Sequence, residues 1–155
     1  MKLSQRGEYA LRALVVLGLR YRPGTDVVRI LAISREQNIP KKFLEQILND
    51  LKSVGILVSR RGASGGYRLA RPPEKISLAE VIRHIEGPLA PVGCVSEKFY
   101  QPCTCPDESK CAIRSVMADV RTNIVKVLEG VTVAELCNRA RKLSEQAGGA
   151  SEYVI

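Results

Sequence analysis

The chain has 155 residues, 45% of them hydrophobic, five cysteines and a formal net charge of +8. That length makes one domain, or one small domain with an appendage, and that apolar fraction builds a core without disulfides. No apolar run reaches the roughly 18 residues of a membrane span, and the opening MKLSQRGEYALRALVVLGLRYR, broken by Glu8 and Arg12, does not read as a secretory leader.

A cytoplasmic protein without a membrane partner is therefore expected. In that compartment clustered cysteines bind metal or do redox chemistry more often than they form structural disulfides. The charge is uneven. Residues 1–75 carry 15 Lys and Arg against 6 Asp and Glu, or +9, whereas residues 76–155 carry 9 against 10, or −1. A basic first half beside a neutral second half points to a polyanionic partner.

In chain order the pattern is mainly α. Tyr9, Ala10, Ala13, Leu14, Val16 and Leu17 have helical spacing and predict a helix over 4–20, ended by Pro23-Gly24. A short helix is expected over about 28–37, with Val28, Ile30, Leu31 and Ile33 toward the interior. Asn38-Ile39-Pro40 breaks the chain, and Pro40 opens a helix that buries Phe43, Leu44, Ile47, Leu48 and Leu51 and stops at Gly55. Two helices across so short a break, the second beginning Lys41-Lys42, read as helix-turn-helix. The stretches 56–61 and 66–71 read as short strands joined by GASGG. With Arg60, Arg61 and Arg68 on it, that hairpin reads as a basic wing, the plainer alternative being an ordinary solvated hairpin.

A capping box, Ser77 with Glu80, opens a helix over 77–87. The segment CVSEKFYQPCTCPDESKC (94–111) then places four cysteines in a loop. A long helix over about 107–129 carries Ile113, Val116, Met117, Val120, Ile124, Val127 and Leu128 in a sustained stripe. The stripe suits a homodimer seam, with packing inside the chain as the alternative. A second box, Thr132 with Glu135, opens a last helix to about 144, followed by a loose tail.

Glu8-Tyr9-Ala10, Ile39-Pro40 with Phe43-Leu44-Glu45-Gln46-Ile47-Leu48, Leu51-Lys52, Arg61-Gly62-Ala63-Ser64-Gly65-Gly66-Tyr67-Arg68-Leu69 and Ile85-Glu86-Gly87 resemble the Rrf-two family of bacterial winged-helix repressors. The resemblance spans about residues 1–140. It implies a winged helix-turn-helix DNA-binding domain over 1–87 and a cysteine-rich sensor loop over 88–111. A dimerisation helix and C-terminal helix over 107–144 and a tail over 145–155 complete the division. It further implies a homodimer on double-stranded DNA, the recognition helix in the major groove and the wing in the minor groove. Lys41, Lys42, Phe43, Gln46, Arg60, Arg61, Ser64, Gly65 and Arg68 are the expected DNA-binding residues.

Cluster-binding members of that family place three cysteines before the dimerisation helix, the last two spaced C-x₅-C. Cys94, Cys105 and Cys111 match, so an iron–sulfur cluster, 2Fe–2S or 4Fe–4S, is the expected cofactor. Cys103 is an alternative or additional ligand. Glu8 of the partner subunit is the possible fourth ligand, its simpler role being a first-turn acid. Other relatives use a histidine where this chain has Arg114. Zinc on the four cysteines and a metal-free thiol switch remain open, as does an electron carrier of another class. Cys137 reads as a buried, inert cysteine and His84 as a surface residue. No phosphate-binding loop or nucleophile dyad supports an enzyme.

Overall fold

Ser4 starts the first helix. Its hydroxyl accepts the Gly7 N–H at 3.1 Å, and α1 runs over Gln5–Leu19. The computed structural model describes residues 2–24 and 27–150. Ala10, Ala13, Leu14 and Leu17 recur at helical spacing and are buried, which makes α1 the central element against which the others pack. α2 (Ile30–Gln37) ends at Asn38 in the left-handed conformation, φ 51°. α3 (Lys41–Ser53) buries Leu44, Ile47, Leu48 and Leu51. Strands β1 (Leu57–Arg60) and β2 (Gly66–Leu69) pair antiparallel, Leu57 opposite Leu69 and Arg60 opposite Gly66. α4 (Leu78–Glu86) follows, then the cysteine segment, α5 (Ala112–Gly130) and α6 (Val133–Ala150).

Two contacts set how these elements meet. Glu86, at the end of α4, accepts hydrogen bonds from both N–H and hydroxyl of Ser4 (3.1 and 2.5 Å), so an acid lies at the positive end of α1. Ser77 and Thr132 form an antiparallel backbone bridge. Leu78 N–H donates to Val131 O and Val133 N–H to Ile76 O, each at 2.9 Å. The segment leading into α4 is thereby paired with the turn between α5 and α6.

Four expectations change. Val28 does not begin a helix; it exchanges backbone hydrogen bonds with Tyr67 at 2.8 and 2.9 Å, extending the wing, and α2 starts at Ile30. Leu31 faces outward. The long helix starts at Ala112, because the Asp107 side chain takes the Ser109 N–H and turns Glu108–Lys110 into a separate tight turn. α6 continues to Ala150 rather than ending near 144, so 145–150 is helix; the rest of the expected tail, 151–155, lies outside the described residues.

Candidate nucleic-acid interface and cysteine site

Pro40 leaves the first turn of α3 open to solvent, and Lys41, Lys42, Gln46 and Asn49 are exposed there. Phe43 differs from them. It is half-buried, with its ring edge-on to Tyr9 at 5.6 Å between centroids, so it braces α3 on α1. On the wing Arg60, Arg61, Ser64 and Arg68 are exposed and Gly65 is half-buried. Arg60 donates to Ser64 O at 3.0 Å, and Gly65 N–H to Gly62 O at 2.9 Å, with Gly62 at φ 100°. A Cβ on Gly65 would enter the Arg60 carbonyl oxygen, and one on Gly66 the Val28 carbonyl. The glycines are thus needed for backbone approach. Tyr67, whose hydroxyl donates to Asn49 Oδ1 at 2.9 Å, ties the wing to α3. Burial, then the nearby Glu45 charge, raises its pKa.

The thiols form two groups in one loop. The Sγ atoms of buried Cys94 and half-buried Cys103 and a carboxylate oxygen of Glu108 lie within 4.8 Å of one another. Cys105 and Cys111 have their sulfurs 3.8 Å apart, and Cys105 N–H donates to Cys103 Sγ at 3.3 Å, linking the groups. The expected trio of Cys94, Cys105 and Cys111 is thus split, and Cys103 is the sulfur beside Cys94. Glu108 was not foreseen. It accepts from the Tyr100 hydroxyl at 2.6 Å and from the Cys103 N–H at 3.4 Å. Those bonds, the Tyr100 one foremost, hold its carboxyl below the usual range, while Tyr100 is pushed up.

Arg114 closes the loop. Its N–H donates to Cys111 Sγ at 3.4 Å, making Cys111 the cap of α5, and its Nε donates to Cys94 O at 3.2 Å. The capping N–H foremost lowers the Cys111 pKa, whereas Cys105, bonded to Cys103 and Cys111, is pushed up to about 12. Soft thiolates converging with one carboxylate fit an iron–sulfur group or zinc by donor chemistry. Glu8 is exposed in the first turn of α1, 3.6 Å from Arg12. Cys137 is buried, its thiol on Val15 O at 3.6 Å, and burial raises its pKa. His84 is exposed.

The stripe on α5 divides. Ile124 and Leu128 pack within the chain against Leu78, Ala79, Ile82 and Leu89, and Met117 is half-buried. Ile113, Val116, Val120 and Val127 are 69%, 56%, 39% and 61% exposed. With exposed Asn123 they recur in steps of three and four, the spacing of a helix-pairing seam.

A helix-turn-helix followed by a basic two-stranded wing defines a winged-helix transcriptional regulator. The chain belongs to the Rrf2 family, described as iron-dependent transcriptional regulator, whose model matches residues 3–139. An rrf2-like HTH-type transcriptional regulator of Rhodobacter capsulatus is 39% identical over 148 residues, covering 92% of this chain and 99% of that one. HTH-type transcriptional regulator IscR of Cereibacter sphaeroides is 41% identical over 86 residues, 56% of each chain. The structure of CymR, the global cysteine regulator of B. subtilis, superposes with TM-score 0.74 at 27% identity, covering 90% of this chain and 98% of that one. T. potens IscR gives TM-score 0.70 at 28% identity, over 90% and 88%. These relatives and this fold are those of DNA-binding regulators, not enzymes. No helix among the described residues is long and apolar enough to cross a membrane.

Proposed function

We propose that the chain acts as a homodimeric repressor whose affinity for a specific operator is set by the chemistry of its cysteine loop, with an iron–sulfur cluster as the resident group. The observation that carries this reading is the loop itself. Four thiols and Glu108 gather in one segment whose two ends Arg114 fastens to the start of α5. The family's description as iron-dependent supports the metal.

Lys41, Lys42 and Gln46 lie at the open end of α3 and read the major groove, Gln46 toward adenine and the lysines toward guanine or phosphate. Arg60, Arg61, Ser64 and Arg68 meet the flanking minor groove or backbone, and Gly65 shapes the turn that presents them. Phe43 acts by holding α3 at its angle on α1. Ile113, Val116, Val120 and Val127 form the seam between protomers. Cys94, Cys103, Cys105 and Cys111 supply the thiolates, with Glu108 as the neighbouring carboxylate and Glu8 of a second protomer as a possible completing ligand. A cluster held there supplies an oxidation-sensitive tie among the loop's thiolates. When that tie is lost the loop is held by Arg114 alone, and the spacing of the two recognition helices relaxes.

Anaerobic purification with a visible spectrum and iron, sulfide and zinc assays tests the cofactor. Operator affinity of loaded and metal-free protein at one salt concentration tests the control, with a difference of about 5–150-fold expected. Cys→Ala variants at 94, 103, 105 and 111 assign the ligands by iron content. Equal affinity for both states overturns the sensing role. The second reading, a thiol switch without metal, has its own observation in the 3.8 Å separation of the Cys105 and Cys111 sulfurs; metal-free protein that responds to oxidant through those two residues would favour it.

The wing assignment gives the first prediction. Arg60→Ala and Arg61→Ala each weaken binding to all sequences and flatten the salt slope by about one. Fluorescence anisotropy across a salt series reads both quantities.

A further inference from the structure

A cleft of about 350 Å³ lies between the end of α4, the segment after Cys94 and the inner face of α5. Neither the DNA face nor the thiols use it. Arg83, Lys98 and Arg121 bring three cations to it, against one lining carboxylate, Glu97; Leu89, Phe99 and Val125 supply apolar walls.

Arg121 sets its chemistry. The side chain is 19% exposed, and its Nη1 pairs with Glu97. Its Nε is enclosed and has no hydrogen-bond partner, the one such buried side-chain atom among the described residues. Arg83 leans outward to Glu129 at 2.8 Å. Guanidinium carries only donors, so what completes Arg121 is an acceptor, and a carboxylate matches its planar edge with two parallel bonds. The apolar walls beside it suit a ligand with a hydrocarbon body.

We propose that this cleft binds a small organic carboxylate, its head on the Nε edge of Arg121 and its apolar body against Phe99, Leu89 and Val125. The walls come from the helix that follows the wing, the cysteine segment and α5, so an occupant joins all three. The regulator therefore takes a second, chemical input beside its thiols.

The test titrates metal-free, ¹⁵N-labelled full-length protein with benzoate, benzamide and inorganic phosphate while following the Arg121 Nε–H resonance. Benzoate is expected to shift that resonance saturably, with benzamide and phosphate at least about tenfold weaker. Arg121→Lys is expected to weaken benzoate binding at least about tenfold while keeping the helical circular dichroism of the parent. Phe99→Ala weakens benzoate and leaves phosphate unchanged. The proposal is overturned by an absence of saturable benzoate binding, which would leave the cleft to water. It is equally overturned by benzamide or phosphate binding as well as benzoate, or by Arg121→Lys binding like the parent. Should Arg121→Lys not fold, Lys98→Ala and Phe99→Ala decide: unchanged affinity in both overturns the site. None of these readouts needs a cluster or an operator, so failure here leaves the proposed regulation standing.

Discussion

A thiol at a helix N-terminus is a stronger acid than one in water, and Cys111 occupies that position on α5. The Arg114 N–H on its sulfur makes the folded protein release the Cys111 proton more readily than the unfolded chain does. Its thiolate therefore fills from a lower pH than an ordinary cysteine's, while Cys105, pushed up to about 12, stays protonated through neutral pH. In metal-free protein at about pH 8, iodoacetamide should modify Cys111 at least about tenfold faster than Cys105. Cys137, buried and raised, should react only after denaturation. Peptide mass spectrometry on a time course reads the order. The cysteines themselves were legible from spacing, but Glu108 and Arg114 were not. Their roles arise from a tight turn after Asp107 and from a bond to a carbonyl twenty positions away, which no local pattern encodes. The two capping boxes were half legible. Ser77 and Thr132 cap as expected, but Glu80 turns to Arg71 and Glu135 to Arg139 at 2.8 Å. A glutamate offered both a neutral N–H and a guanidinium takes the charged partner.

At the scale of elements, α5 shows why a stripe is ambiguous. Adjacent pairs such as Val116-Met117 and Val127-Leu128 point about 100° apart on a helix, so one apolar run served two faces. The sequence reading merged them; the fold turns Ile124 and Leu128 inward and leaves Val120 outward. Val120→Asp should keep the parent's thermal midpoint and give monomers in sedimentation, since the charge meets apolar surface only at the seam. Ile124→Asp should instead lower stability by about 2–5 kcal/mol, because it places a charge against Leu78 and Ile82 in each chain. A wild-type monomer would remove the seam. The wing was legible as a hairpin from its glycines, but the Val28–Tyr67 pairing was not, since a single bridge has no alternation to read. It explains Gly66: Gly66→Ala, forcing a Cβ into the Val28 carbonyl, should cost about 1–3 kcal/mol in thermal denaturation.

For the whole molecule, the sequence suggests a DNA-binding unit over 1–87 with dimerisation helices beyond it, yet the main core does not close there. Val133 and Cys137 of α6 are buried with Ala13, Leu14 and Leu17 of α1. Cys137 and Val133 sit over Gly18, where an added Cβ would lie 2.6 Å from the Cys137 sulfur. Long-range packing of this kind leaves no trace in local periodicity. A chain ending at Gly130 should therefore lose about 2–5 kcal/mol of stability, as core truncations do, and melt at lower temperature by circular dichroism.

The pairing of Ser77 with Thr132 has a bearing on how such a chain diverges. Its bonds run between main-chain groups of Ile76, Leu78, Val131 and Val133, so replacement of those side chains does not by itself delete them. The bridge also stands outside the cysteine segment, whose entry and exit Arg114 holds. Descendants of one ancestor can thus rewrite the thiols, swap one chemical trigger for another, or abandon metal altogether. The wing and the long helix keep their relative setting throughout, and the sensor becomes an exchangeable cartridge on an inherited chassis.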